Sequence, residues 1–585
     1  MSGTRPPSLR RFYRGLLSGS PWRLTLALGI ASAAVGVAIT FKPYSSLGIL
    51  IALVAVAFAL TGIGELASAT ATRERWAGGG WIAAAIAVAV WPGLTIRGLA
   101  LFVGLVLLVG GALRIASALR GTADERLIAA LSGLTRGIFG ILALSWPDIT
   151  VLVLGLFVGP AMILFGIGQV AGALRRRDHG ARHWPMWLRA AGMSVSLVVA
   201  LGLLGVSRAV HNASSSPTAF YTPPSNVPSR PGVLLRSEPY TTGVPGDARA
   251  WRILYTTTRG PGEPAVASGV VLVSRMPPTG PRPVIAWAHG TTGFASKCAP
   301  SLLASGLASG VLPAEDQIVA NGWVLVATDY VGLGTKGPHP YLIGDPEGRS
   351  VLDAVRAARQ LKQVDLAGKT VVWGHSQGGG AALWTGIDAP SYAPDDHVVG
   401  VAALAPATDL PALFSNIRSE PVGKIMGPYV LAAYSAVYPD VHFDDYVRPA
   451  AQAVAHANAN RCLSGPEALV SVATSLGSED VFSKSPDAGA LGKRLAENIP
   501  TGHIAAPLLI AQGLSDALVL PSVQKRYVDA RCAAGQSLEY RTYKGFDHVG
   551  VVADPSSPLI PDLIAWTKAR FAGTPQPSGC RFASG

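Results

Sequence analysis

Apolar positions change their arrangement near residue 210. Before that point they form long runs over about 24–41, 47–69, 77–91, 98–119, 127–146, 149–173 and 190–207, broken mainly by short Arg-bearing segments. A helix needs roughly 20 apolar residues to cross about 30 Å of hydrocarbon. Most of the runs are near that length, so the pattern predicts about seven transmembrane helices, with the Gly-rich run at 77–91 the shortest. A cleavable leader would show one apolar core and then stop, whereas this pattern continues. Beyond residue 210 the apolar runs shorten and alternate with amphipathic stretches. "AWRILYTTT", "AVASGVVLVS", "RPVIAWAHG" and "GWVLVATDY" read as strands, "GRSVLDAVRAARQLK" as a helix, and "KTVVWGHS", "HVVGVAALAP" and "APLLIAQG" as further strands. Such continuous apolar strands between helices predict a mostly parallel sheet covered on both faces.

The first half is also repetitive. Three segments align on Pro43, Pro92 and Pro147; nineteen residues after each comes a glycine (Gly62, Gly111, Gly166), and three further on a polar residue (Glu65, Arg114, Gln169). Each segment predicts a helix pair closed by a Pro turn, with a small residue that lets helices approach closely. Three pairs give six spans, and the run near Leu197 gives the seventh. This triplicated pattern resembles the HdeD-like family of short-repeat membrane proteins over residues 20–175. That resemblance brings no catalytic residue with it.

Charge separates at the same boundary. Residues 1–210 hold 19 Lys and Arg against 6 Asp and Glu, which is the whole net charge of +13; the remainder holds 29 of each and is neutral. Alternate flanks of the apolar runs are Arg-rich (Arg10, Arg11, Arg14; Arg73, Arg75; Arg120, Arg126; Arg175, Arg176, Arg177), while the opposite flanks carry only Lys42 and Arg97. The positive-inside rule puts the N-terminus in the cytoplasm, and seven crossings place everything after Val210 outside. Basic residues beside hydrocarbon and a neutral second half argue against a nucleic-acid partner. The four cysteines, Cys298, Cys462, Cys532 and Cys580, all follow the last run. An even number confined to an exported part fits disulfides, with buried free thiols as the alternative. No C-x-x-C pair is present, so a zinc site is not expected; the reading includes no other metal and no cofactor.

The boundaries follow: an N-terminal arm at 1–22, a multi-span membrane domain at 23–210, a Ser/Pro-rich linker at 211–231 that reads as a semi-extended tether, and an α/β domain at 232–585. In a parallel sheet the chemistry sits at the carboxyl ends of the strands. One such end carries Gly374-His375-Ser376-Gln377-Gly378, where "TVVW" stops and "GGGAALWTGI" begins. The bare G-x-S-x-G pattern is common, but the strand-turn-helix setting lifts a serine Oγ above the sheet edge. A serine hydroxyl needs a base, and the base a carboxylate, in the chain order Ser, Asp or Glu, His. Asp516 after "PLLIAQGLS" and His548 in "GFDHVGVV" satisfy that order. Asp409 and Asp547 are the rival carboxylates, and His375 and His503 the rival imidazoles. An oxyanion needs donors from the residue after the nucleophile, Gln377, and from the loop in "WAHGTTG", first Thr291 and then Thr292. A histidine base implies activity that declines below roughly pH 6.5.

"AHGTTG", "KCAPS", "DYVGLGTKGPHPYLIG", "GRSVLDAVRAAR", "WGHSQGG" and "APATDL" stand in that order. Together they resemble the secretory lipase family, α/β-hydrolases related to fungal lipase A, over about 230–580. The resemblance implies Ser376, Asp516 and His548 as the triad, carboxylic esters and especially acylglycerols as substrates, and bonds between Cys298 and Cys462 and between Cys532 and Cys580. The chain departs from that family in its multi-span first half. Between residues 409 and 503 the sheet is interrupted by apolar, Tyr-rich sequence that predicts a helical cap over the site. The expectation is a membrane-anchored extracytoplasmic serine lipase or esterase acting on a lipid or small ester. An acyltransferase using the same triad, or a membrane transporter or sensor with a non-catalytic hydrolase-like domain, are the alternatives. Oligomeric state has no signature in these residues.

Overall fold

The computed structural model describes continuous helices at 22–41, 123–145 and 186–213, scattered positions between them, and residues 216–585 apart from 261, 277–278 and 477–479. The chain divides into two compact units, one built mainly on residues up to Arg208 and the other on residues from Ala209 onward.

In the first unit the continuous helices are α1 (Trp22–Phe41), α2 (Ala123–Ser145) and α3 (Met186–Ala213). The expected spans at 47–69, 77–91, 98–119 and 149–173 lie wholly or partly outside the described residues. Among the described residues one stretch, Arg126–Ser145, is long and apolar enough to cross a membrane, where the sequence suggested seven. In α3 the described apolar stretch is Ser194–Gly205. Two of the repeat glycines, Gly111 and Gly166, have a packing role, and Gly62 lies outside the described residues. A β-carbon on Gly111 would fall 2.9 Å from the Gly133 carbonyl of α2, and one on Gly166 would fall 2.5 Å from the Gly29 carbonyl of α1. Gly133 and Gly29 each lie fourteen residues before their own repeat proline, Pro147 and Pro43. The same backbone-to-backbone register thus joins the second repeat to the third and the third to the first.

The second unit is built on one ten-stranded sheet in the order β1-β2-β3-β5-β4-β6-β7-β8-β9-β10. Strands β1 (Leu234–Tyr240), β2 (Ala248–Gly260) and β3 (Glu263–Ser274) run antiparallel to their neighbours, and β3 is antiparallel to β5 (Val324–Thr328). From β5 through β4 (Arg282–Ala288), β6 (Leu366–His375), β7 (Val398–Leu404), β8 (Leu508–Gly513), β9 (Leu538–Tyr543) and β10 (Cys580–Ser584) every pairing is parallel. Alternate residues serve opposite faces. On β6, Val372 joins a core formed with helices α4 (Gly344–Ala358) and α5 (Gln377–Tyr392), while Val371 and Trp373 join one formed with α6 (Leu559–Phe571). Because both faces are dry, each such side chain contributes about 1.5–3 kcal/mol by burial, and no polar alternation is visible in the strand.

Between β7 and β8 the chain forms helices at Leu410–Ile417, Pro421–Val437, Phe443–Tyr446, Gln452–Ala459, Gly465–Leu476 and Gly489–Glu497. The stretch read as a bare tether differs from expectation. Ala219–Tyr221 form a 3-10 turn whose Phe220 and Tyr221 are buried against Leu254 and Val266. The Arg252 guanidinium lies 4.3 Å from the centre of the Phe220 ring and donates to Tyr221 Oη at 2.8 Å. Two aromatic side chains bury enough surface to seat a segment whose composition is otherwise that of a linker.

Candidate active site

Strand β6 ends at His375, and α5 begins one residue after Ser376. Ser376 therefore occupies a turn with φ 58° and ψ −119°, a conformation that L-residues rarely adopt. A β-carbon on Gly374 would collide with the Gly378 carbonyl, and one on Gly378 with the Ala288 carbonyl, so both flanking positions exclude any side chain. The strain is held by the sheet, since Ser376 N–H donates to Leu404 O and Ala407 N–H to Ser376 O.

Two further strand ends converge on this serine. His548, in the loop after β9, places Nε2 2.9 Å from Ser376 Oγ and Nδ1 2.8 Å from Asp516 Oδ2. Asp516 follows β8 by three residues and is 3% exposed, which would penalise a lone carboxylate. It is not alone: its Oδ1 accepts from Leu518 N–H at 2.8 Å and Val519 N–H at 2.9 Å, and its Oδ2 from Gln512 Nε2 at 2.9 Å. A carboxylate can only accept, so Nδ1 of His548 carries the proton and Nε2 is free to take one from the serine.

The rival residues lie elsewhere. Asp409 caps the helix at Leu410–Ile417 through the Ala412 N–H. Asp547 is exposed and accepts from Gly550 N–H at 2.7 Å. His503 is exposed ahead of β8, at the opposite end of the strand. His375 is 2% exposed and contacts His548 rather than Ser376, its Nε2 lying 2.9 Å from the His548 carbonyl oxygen. Burial, with the neighbouring His548, holds its imidazole at about 3.

Around the expected oxyanion donors the structure adds residues that had no role in the sequence reading. Gln377 is the first residue of α5, where a backbone N–H has no intrahelical acceptor. Its side-chain Nε2 donates to Glu347 Oε1 at 2.5 Å and faces His339 Nε2 at 3.1 Å. Glu347 also accepts from Leu342 N–H at 3.0 Å, and burial pushes its carboxyl up to about 8. The same burial holds His339 at about 3, so its bare Nε2 can accept from the Gln377 amide. Thr291 Oγ1 is 2.8 Å from Tyr341 Oη, whereas Thr292 is fully buried and its carbonyl accepts from Leu463 N–H at 2.7 Å. His339 and Tyr341 fall in "DYVGLGTKGPHPYLIG" and Glu347 three residues beyond it, so their one signal in the sequence is that motif's place in the family resemblance.

All four cysteines are paired, Cys298 with Cys462 and Cys532 with Cys580. The first bond ties the loop after β4 to the helical insertion, where Gly293 and Cys462 also form a β-bridge.

Residues 315–579 match the model of the family described as secretory lipase, and residues 27–89, 81–139 and 131–205 each match a short repeat of unknown function. The chain is 24% identical over 404 residues to Lipase 6 of Candida albicans, covering 62% of this chain and 83% of that protein. It is 26% identical over 390 residues to a secreted triacylglycerol lipase of Malassezia globosa, covering 62% and 83%. The structure of Candida antarctica lipase A in its closed state superimposes with a TM-score of 0.52 at 20% identity, over 63% of this chain and 89% of that one. The last comparison shares the fold, a mostly parallel α/β-hydrolase sheet. The HdeD-like reading of the first half gains from these matches a repeat, and no assigned activity.

Proposed function

Since the second unit is a carboxylic ester hydrolase of triacylglycerol-lipase type, we propose that Ser376, His548 and Asp516 are its catalytic triad and that it hydrolyses acylglycerol-like lipid esters. The observation that carries the reading is the continuous Ser376–His548–Asp516 hydrogen-bond line at 2.9 and 2.8 Å on a strained elbow. His548 Nε2 takes the Ser376 proton as Oγ attacks the ester carbonyl carbon, and Asp516 stabilises the imidazolium that forms. The Gln377 and Thr291 backbone N–H groups, with Thr292 as the neighbouring candidate, receive the developing oxyanion. Collapse expels the alcohol, protonated by His548; water then attacks the acyl-enzyme with His548 again as base, and the fatty acid leaves. The lipid class rests on the names of the matched relatives and on the apolar helical insertion at 409–503, which we take as a cap over the acyl site.

For the first unit we infer a membrane anchor that holds the hydrolase outside the cytoplasm. In its support, α2 turns Leu127, Leu134 and Ile141 outward along one face, and α3 does so with Val195, Val198 and Leu201. The two disulfides fit an oxidising compartment.

The test of the triad is hydrolysis of p-nitrophenyl esters from acetate to palmitate by the detergent-solubilised chain beside Ser376→Ala. Wild-type turnover with at least a thousandfold loss in the variant is expected. Equal rates in the two proteins would sink the triad, and the best chain length separates esterase from lipase.

A further inference from the structure

His375 lies inside the elbow, one residue before the nucleophile, yet neither ring nitrogen serves Ser376 in the reaction. Its Nε2 faces the His548 carbonyl at 2.9 Å, and a carbonyl can only accept, so Nε2 carries the hydrogen. Its Nδ1 is buried without a partner and lies against Gly290 of the loop after β4. A second proton there would be an unpaired charge in a dry site, so this imidazole is locked neutral in the Nε2–H tautomer. The two histidine rings are tilted by 40° with centroids 4.8 Å apart.

His548 sits in a loop between β9 and the short helix Gly550–Ala553, and its backbone receives little from regular structure. Among the described residues, His375 is the group that donates to its carbonyl. The imidazole of His548 is meanwhile held at Nδ1 by Asp516, and the loop is tied beside it where Ser515 N–H donates to Phe546 O and Val551 N–H to Asp547 O; none of these bonds reaches the strand that carries the nucleophile. A donor from the end of β6 to the His548 main chain supplies that tie. Because the donor is the residue adjoining Ser376, base and nucleophile are referenced to the same strand end.

We propose that His375 is a positioning residue: its Nε2–H tethers the His548 main chain to the end of β6 and so holds the base at proton-transfer distance from Ser376. This rests on the triad reading given above. Neither ring nitrogen bonds the reacting Ser376 Oγ, so its loss should slow acylation without weakening substrate binding.

The experiment uses the full chain in detergent with p-nitrophenyl butyrate, comparing His375→Leu, which has no donor, and His375→Gln, whose amide N–H can reach the same carbonyl. The leucine variant should lose about 10- to 100-fold in kcat, the scale of a misplacement near 1 Å, with KM within about twofold. The glutamine variant should recover kcat to within about threefold of wild type. Labelling of Ser376 by a fluorophosphonate should slow in parallel with kcat. A leucine variant with wild-type kcat, or a folded glutamine variant as slow as the leucine one, overturns the tether. If His375→Leu fails to fold by near-ultraviolet circular dichroism, the glutamine variant alone decides, by whether its kcat stays within that threefold. Ser376→Ala run alongside separates the two levels: an inactive alanine variant beside an unimpaired His375→Leu rejects the tether and leaves the triad standing, whereas an active alanine variant removes the triad and the tether with it.

Discussion

At the scale of single residues, a protein interior charges for ionisation, and this site shows both ways of meeting that demand. Asp516 is met by three donors besides the histidine, the Leu518 and Val519 N–H groups and the Gln512 amide. Glu347 has two, Leu342 N–H and the Gln377 amide, and burial wins, raising its carboxyl from 4.5 to about 8. The folded chain therefore keeps a proton that the unfolded chain releases between about pH 4.5 and 8. Unfolding releases that proton across this window, so stability falls as pH rises, by at most about 1.4 kcal/mol per pH unit, and levels off above the folded value. Glu347→Gln keeps an acceptor for Leu342 and Gln377 but cannot ionise. The expected outcome is a variant whose melting temperature declines less than that of wild type between pH 5 and pH 8. Parallel declines in thermal melts at the two pH values would show that Glu347 does not titrate in this way. None of this was legible in the sequence, where Glu347 stands just before the amphipathic "GRSVLDAVRAARQLK"; its carboxylate meets the Gln377 and His339 side chains, which come from elsewhere in the chain.

The elements themselves follow from pattern wherever the pattern is local. The strand-turn-helix around Ser376 was readable because Gly374 and Gly378 mark positions where any β-carbon would strike backbone, and the order of Asp516 and His548 at later strand ends was readable because strand ends are. The linker was not. Its Ser, Thr and Pro content predicts an unanchored tether, yet Tyr221 Oη lies 2.8 Å from Ser301 Oγ, Ser301 donates to Asp329, and Asp329 at the end of β5 also accepts from Ser268 at 2.6 Å. Composition averages over a window, and two buried aromatics in twenty residues do not move the average. Tyr221→Phe leaves Ser301 and Arg252 without this partner, so it should lower the unfolding free energy of the second unit by about 1–3 kcal/mol. Chemical denaturation followed by tryptophan fluorescence measures it, and a coincident transition in the two proteins would mean that water replaces the hydroxyl at no cost.

For the whole molecule, the reading joins an apolar, basic first unit to a neutral hydrolase. If the first unit is an anchor, the full chain expressed in bacteria should remain in the membrane pellet after alkaline carbonate washing, while a chain beginning at residue 214 should appear in the soluble fraction. Release of the full chain by carbonate would reject the anchor. The sequence by itself determined the division near residue 210, the triplicated repeat, the parallel character of the sheet and the elbow, because each is written in nearest-neighbour chemistry: run length, period, and glycines at fixed spacing. Tertiary structure alone decided which helices the repeat glycines touch, that Asp409 caps a helix while Asp516 faces His548, and that His375, Glu347 and Tyr221 reach groups on other strands and loops. Those outcomes depend on which distant segments the fold brings within 3 Å, and at that range a hydrogen bond is made or lost by geometry that no local pattern encodes.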